Sequence, residues 1–314
     1  MTADITFQQF CNWLKLKHLV LIDTLARTQN MHVAAEQMKL TQPALSKMLR
    51  DLEDMLGFAL FERLPRSMKP TELGEQVARY AQVTLNDTRN FVAQINKLRK
   101  GGHGYLKVGT IFAATFNVLP EAITLTKEQR PLLSIEVVEQ TSDNLLQMLK
   151  RKEIDLMIGR FTEDHYRQLF DFRSLGPEPF VLVVNPRHPL AAARAIAPAE
   201  LSRWPWILYP SGTPIRARIE QAFHEHGIPL PDNTVDTISM PTFLQLLQSG
   251  PAVAMLPAPM VQPHLDTHAL CQLDCAFAVA ALDFGIITRK DDPLPPAAAM
   301  FSETLLALYA RRNP

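Results

Sequence analysis

The 314-residue chain is short of several features, and each shortage narrows what the protein does. Three cysteines cannot build a disulfide framework, which fits a reducing compartment. No apolar run is long enough to cross a bilayer. The opening residues, MTADITFQQFCNWLKLKHL, lack the basic start and apolar block of a secretory leader. The expectation is a soluble cytoplasmic protein with no membrane partner. There is no glycine-rich phosphate loop, no internal repeat and no low-complexity segment. Serines and histidines occur without the arrangement of a catalytic triad, so an enzyme reading has no positive support, and no cofactor is implied. The formal net charge is zero, so total charge selects no partner either.

What is present is uneven. Residues 1–100 carry 14 Lys and Arg against 10 Asp and Glu, while residues 101–314 carry 18 against 22. The mildly basic front permits nucleic acid. Apolar residues are 47% of the chain, enough for a sizeable core, and the length suits two or three domains. Four zones follow: an extension over 1–15, dense helical patterns over 16–70, one long polar helix over 71–100, and an α/β region over 104–314 that begins after the GGHG break.

Residues 39–57, KLTQPALSKMLRDLEDMLG, form the most informative stretch. Thr41 suits an N-cap, Pro43 the first turn and Gly57 the residue past the end. At 100° per residue from Gln42, Ala44, Leu45, Met48, Leu49, Leu52, Met55 and Leu56 share one apolar face. Gln42, Pro43, Ser46, Lys47 and Arg50 share another, concentrated in the first two turns. Gln42 can pair with adenine, Lys47 and Arg50 with guanine or phosphate, and Ser46 with either. Acidic Glu53 and Asp54 lie in the same sector but about 16 Å further along. The spacing predicts preceding helices over Leu16–Gln29 and Met31–Met38, the second capped by Asn30, with a tight turn at Lys39 and Leu40. That is a helix-turn-helix. Residues 58–70 suit a hairpin with a basic tip carrying Arg63 and Arg66. DNA is therefore the expected partner of Thr41, Gln42, Pro43, Ser46, Lys47, Arg50, Arg63 and Arg66. An ordinary solvated face is the competing explanation, and the preceding helix and basic hairpin weigh against it.

The helix after Thr71 places Val77, Ala81, Thr84, Thr88, Phe91, Ile95 and Leu98 at alternating spacings of four and three. This is a heptad seam weakened by two threonines. It suits self-association, or packing against the chain's own body.

Beyond Tyr105, YLKVGT, LLSIEVVEQ, IDLMIGR, PFVLVVN, WILY, VAMLP and DFGIITR read as strands. Helices are expected near 116–129, 143–152, 214–226, 240–249 and 296–311. The alternation implies parallel sheets with crossover helices. Two subdomains with a cleft are expected, about 104–176 with 281–314, and about 177–280. Ligands in such domains bind beyond the carboxyl ends of strands and at helix N-termini. The candidates are Thr110, Ile111 and Phe112 after the first strand, Thr141 and Ser142, Arg160, and the YPSGTPIR run with Pro210, Ser211, Gly212, Thr213 and Arg216. Their hydroxyls, backbone N–H groups and arginines suit a small anionic effector. As single residues, the Ser and Thr also read as plain helix caps.

His264, His268, Cys271 and Cys275 are all metal-ligand types. Four ligands on one straight helix cannot close a tetrahedron, and a break into a strand is expected there, so no metal site is assigned. His224 and His226 are two apart and do not share a helix face.

The run AAEQMKLTQPALSKMLRDLEDMLGFALFERLPRSMKPTELGE resembles the winged helix-turn-helix of LysR-type transcriptional regulators. TQPALS, LEDMLG, LFER and TELG occur in order and at family spacing. The C-terminal part matches by layout and by pieces such as IDLMIGR and the HPL at 188–190, most like the branch responding to sugars or aromatic acids. The residues before the first family helix are a departure, either packing on a dimer or extending that helix. The resemblance implies a mostly α winged helix-turn-helix, a long linker helix, and a periplasmic-binding-protein-like α/β regulatory domain of two Rossmann-like subdomains. It also implies dimers through antiparallel linker helices, tetramers spanning two DNA sites, and a carboxylate, aromatic acid or sugar derivative bound between the subdomains. That effector would change DNA bending or contact with RNA polymerase. The alternative is a small-molecule-binding protein or enzyme whose front helices serve assembly.

Overall fold

A computed structural model describes residues 4–65, 67–115, 118–290 and 292–312. The chain divides into two compact units, Met1–Asn96 with Lys150–Glu153, and Lys97–Leu149 with Ile154–Pro314.

The first unit opens with α1 (Phe7–Trp13), started by a capping box between Thr6 and Gln9. Leu14 and Lys15 are both extended, so α1 is a separate helix and not a longer start to α2 (Leu16–Thr28). Helix α2 stops where Gln29 turns left-handed at φ 49°. Asn30 caps α3 (Met31–Gln37) by accepting from the N–H groups of His32 and Val33 at 2.9 and 3.2 Å. Lys39, at φ 55°, makes the tight turn into α4 (Gln42–Leu56). Thr41 Oγ1 accepts from Ala44 N–H, and Gly57 ends the helix at φ 77°, a conformation open to glycine without strain. Strands β1 (Phe61–Arg63) and β2 (Met68–Pro70) pair antiparallel as the wing. Leu21, Ile22 and Leu25 of α2, Ala34 of α3 and Leu45, Leu49 and Leu52 of α4 close the core with Leu60 and with Ala81 and Leu85 of α5 (Glu72–Arg99).

The heptad seam of α5 serves two purposes. Val77 and Ala81 pack into this core, whereas Phe91, Ile95 and Leu98 are exposed, with Val92 beside them. Thr88 turns its hydroxyl back to the Thr84 carbonyl at 2.7 Å, which satisfies it without a partner helix.

The second unit holds two five-stranded sheets. In chain order the strands are β3 (Tyr105–Thr110), β4 (Ser134–Glu139), β5 (Leu156–Gly159), β6 (Phe170–Glu178), β7 (Phe180–Val184), β8 (Trp206–Leu208), β9 (Thr234–Asp236), β10 (Val253–Pro257), β11 (Cys271–Gln272) and β12 (Leu282–Arg289). The helices are α6 (Phe112–Thr115), α7 (Leu119–Gln129), α8 (Ser142–Lys150), α9 (Pro214–Glu225), α10 (Met240–Ser249), α11 (Ala258–Asp266) and α12 (Pro296–Arg312). The first sheet runs β4-β3-β5-β12-β6 and the second β11-β7-β10-β8-β9.

These sheets are mixed rather than parallel throughout. Strands β4, β3 and β5 are mutually parallel, as are β10, β8 and β9, but β12 pairs antiparallel with both β5 and β6, and β7 antiparallel with β10 and β11. The cause is the double crossing between subdomains. Strand β6 carries the chain out through Pro179 and β12 carries it back, so neighbours in one sheet run in opposite directions. Strands β5 and β10 are buried along their whole length, which explains their unbroken apolar runs. Strand β6 escapes the hydrophobic pattern because only Phe170, Leu175 and Glu178 of FDFRSLGPE are buried, with no regular alternation and a charged residue among them. Among the described residues no helix is long and apolar enough to cross a membrane.

Candidate DNA-reading face and effector cleft

The cap at Thr41 sets the direction of α4, and the apolar stripe buried on the unit's core fixes its rotation. Gln42, Pro43, Lys47 and Arg50 are thereby exposed, and Ser46 is half-buried. Gln42 and Ser46 share an open groove with Arg63, Leu64, Pro65 and Ser67 of the wing and with Asn30, Met31 and His32 at the start of α3. Thr41, Pro43, Lys47 and Arg50 lie outside its walls, and Arg66 lies outside the described residues. His32 enters this set unannounced by the sequence. It sits in the first turn of α3 and pairs with Glu36 at 3.2 Å. Glu53 also has a specific job, because its Oε1 accepts from Leu60 and Phe61 N–H at 2.8 and 3.3 Å. The wing strand is therefore tied to α4 by a carboxylate whose charge those N–H groups offset.

A cavity lies at the carboxyl ends of β3, β4, β5 and β10 and beside the start of β7, where the two sheets of the second unit meet. Ile111, Phe112, Thr141, Ser142, Arg160 and Thr213 line it. Thr110 is fully buried, its hydroxyl donating to the Ile111 carbonyl at 3.0 Å, so it supports the wall from behind. Pro210, Ser211 and Gly212 form the turn before α9 outside the wall. Arg216, in the first turn of α9, is held by Glu220 at 2.6 Å, Asp236 at 3.0 Å and the Tyr209 carbonyl at 3.2 Å. Its charge is already met. Ser142 Oγ accepts from Arg160 N–H at 3.4 Å, joining the start of α8 to the end of β5.

Glu139, Glu178, Phe180, Tyr209, Ile238 and Pro257 are lining residues that the sequence left unmarked. Pro257 closes an anticipated strand, and Tyr209 closes the anticipated strand WILY and opens the YPSGTPIR run, so strand-end position was the available signal. Glu178 carried none, because β6 itself was not legible. Arg160 donates from an Nη to a Glu178 carboxylate oxygen, and both side chains are buried. Burial pushes the Glu178 carboxyl above its ordinary range, while Arg160 pulls it back down.

His264 lies on α11, His268 just beyond it at φ 57°, Cys271 on β11 and Cys275 further on. Helix and strand thus separate them, and no three His, Cys, Asp or Glu side chains among the described residues group to hold a metal. His226 caps the end of α9 and its Nδ1 lies 2.8 Å from the Ala222 carbonyl oxygen.

A winged helix-turn-helix followed by a long helix and a two-subdomain α/β unit with a cleft defines the class: a DNA-binding regulator with a ligand-sensing domain. Residues 16–75 match the model of the lysR-family bacterial regulatory helix-turn-helix, and residues 99–310 match the LysR substrate binding domain. The chain belongs to the LysR family of transcriptional regulators. It is 31% identical over 293 residues to the HTH-type transcriptional regulator GbpR of Azospirillum brasilense, covering 91% of this chain and 86% of that one. Full-length OxyR from Pseudomonas aeruginosa superposes with a TM-score of 0.59 at 26% identity over 93% of this chain and 94% of that one. Full-length CbnR complexed with its target DNA shares the fold, with a TM-score of 0.66 at 20% identity over 94% of this chain and 100% of that one.

Proposed function

We propose that this regulator reads DNA with the first two turns of α4 in the major groove and the wing alongside, under the control of a small effector held in the cleft of its second unit. The observation that carries the reading is the single groove gathering Gln42 and Ser46 with Arg63. A side-chain amide, a hydroxyl and a guanidinium on one face supply base-edge and phosphate contacts together. Thr41 and Pro43 set the helix start, and Lys47 and Arg50 flank the groove as phosphate or guanine ligands. Arg66 adds a further cation to the wing sequence.

Phe112, Phe180, Tyr209, Ile215 and Ile238 suit an apolar or aromatic body in the cleft. Arg160 with the starts of α8 and α9 suits an oxygen-rich head, as in a carboxylate, aromatic acid or sugar derivative. Thr110, Pro210, Ser211, Gly212 and Arg216 support that wall from outside it. The exposed stretch of α5 suits dimerisation through paired helices and assembly to a tetramer. A change of DNA bend or of contact with RNA polymerase is the expected output in the cytoplasm.

Gel shifts on the DNA beside the protein's own gene test the reading. Binding should weaken steeply with salt. Lys47→Ala or Arg63→Ala should weaken it on all sequences and reduce the salt slope by about 1. Gln42→Ala should relax base preference at one position by about 1–3 kcal/mol. Absence of binding at low salt would refute the proposal.

A further inference from the structure

The cleft wall holds one arginine, Arg160, and the protein has placed its own carboxylate against it. Arg160 follows β5 and is only 9% exposed, and Glu178 is only 4% exposed. The guanidinium donates from one Nη to Glu178, and its Nε has no hydrogen-bond partner among the described residues. The rings of Phe180 and Phe284 each lie 6.0 Å from the guanidinium carbon. A guanidinium presents a planar fork suited to two oxygens, so this one is partly satisfied. Stability does not call for such a pair, since apolar residues of similar volume commonly pack at least as well.

Its position supplies the reason. Glu178 is the last residue of β6, Pro179 follows, and Phe180 opens β7 in the other sheet. The carboxylate therefore sits on one of the two crossings that join the subdomains, and it faces the cavity.

We propose that Glu178 is an internal stand-in for the effector's carboxylate: a small aromatic carboxylate takes the Arg160 fork, displaces Glu178 and frees the β6–β7 crossing. This deepens the effector reading given above and rests on it. The aromatic body lies against Phe112, Phe180 and Tyr209, and its carboxylate completes the Nε edge that Glu178 leaves open. The groups facing Glu178 are Arg160 from β5 and Tyr209 after β8, with Glu139 at the end of β4 on the same cavity. Once parted from Arg160, Glu178 keeps its burial and loses its cation. It then takes one proton from solvent onto a carboxylate oxygen. One carboxylate enters as another is neutralised, so the charge of the cleft is conserved.

Benzoate and its neutral isostere benzamide, added to the full chain, test this by thermal shift and calorimetry. Benzoate should stabilise the protein and benzamide should not. Calorimetry in two buffers of different ionisation heat should show proton uptake on benzoate binding. Glu178→Gln should raise benzoate affinity at least about ten-fold, since the competing internal state is removed, and should abolish the uptake. Arg160→Gln should abolish benzoate stabilisation. Equal stabilisation by benzamide, none by benzoate, or unchanged affinity in Glu178→Gln would overturn the proposal. Should Glu178→Gln not fold, zero proton uptake by the unaltered chain overturns it as well. DNA binding in gel shifts that survives such a result leaves the regulator reading standing.

Discussion

At the scale of single residues, the HPL at 188–190 shows how a short sequence piece becomes physical. His188 is buried against Trp204, with ring centroids 4.3 Å apart. Its Nδ1 accepts from Leu190 N–H at 3.1 Å, which makes Nε2 the protonated nitrogen, 3.1 Å from the Pro251 carbonyl oxygen. A second proton would set an N–H against the Leu190 N–H. Burial accordingly pulls the ring's pKa below its ordinary value, against the opposing hydrogen bond to Pro251. A depressed pKa in the folded state means that acid favours the unfolded chain. The contribution is intact above about pH 6.5 and is lost as pH falls from there through the folded value. His188→Gln should lower the melting temperature near neutrality. Its melting temperature should then fall less between neutral and mildly acidic pH than that of the unaltered protein. Parallel pH curves for the two proteins would refute the assignment.

At the scale of elements, Gly74 in TELG decides how α5 meets the wing. Helix-interior Gly→Ala ordinarily stabilises by about 1 kcal/mol. Here a Cβ would lie 1.9 Å from the Leu60 carbonyl oxygen, far inside van der Waals contact, and that atom is backbone. Thr71 reinforces the junction, accepting from Gly74 N–H and donating to the Ala59 carbonyl, each at 2.9 Å. Steric cost outweighs propensity, so Gly74→Ala should destabilise the first unit by about 1–3 kcal/mol. Thermal unfolding measures it, and a stabilised variant would show that the helix shifts freely. The caps at Thr41 and Asn30 and the stop at Gly57 were legible beforehand because they depend on local hydrogen bonds and φ alone. Strand β6 and the separate helix α1 were not. The first hides in an irregular burial pattern, and the second depends on two extended residues that carry no breaker signal.

At the scale of the whole molecule, the seam on α5 is the clearest unfinished surface. Phe91 is 59% and Leu98 52% exposed, and a groove lined by Leu16, Val20, Leu85, Val92 and Ala93 runs beside them. Exposing such residues on a monomer is unfavourable unless a partner covers them. Phe91→Asp with Ile95→Asp should lower the assembly state in sedimentation while leaving helical content unchanged. An unaltered mass would place the self-association surface elsewhere.

The sequence by itself determined the helix-turn-helix, the polar face of α4, the seam of α5 and most buried strands. Each of these rests on a periodicity or a cap, and both are written in neighbouring residues. Tertiary structure decided which seam residues stay inside the first unit, that Glu53 ties down the wing, and that Arg216 is neutralised outside the cavity. It also set Glu178 against Arg160. Those outcomes depend on groups distant in sequence brought within hydrogen-bond reach, and no local pattern records such an encounter.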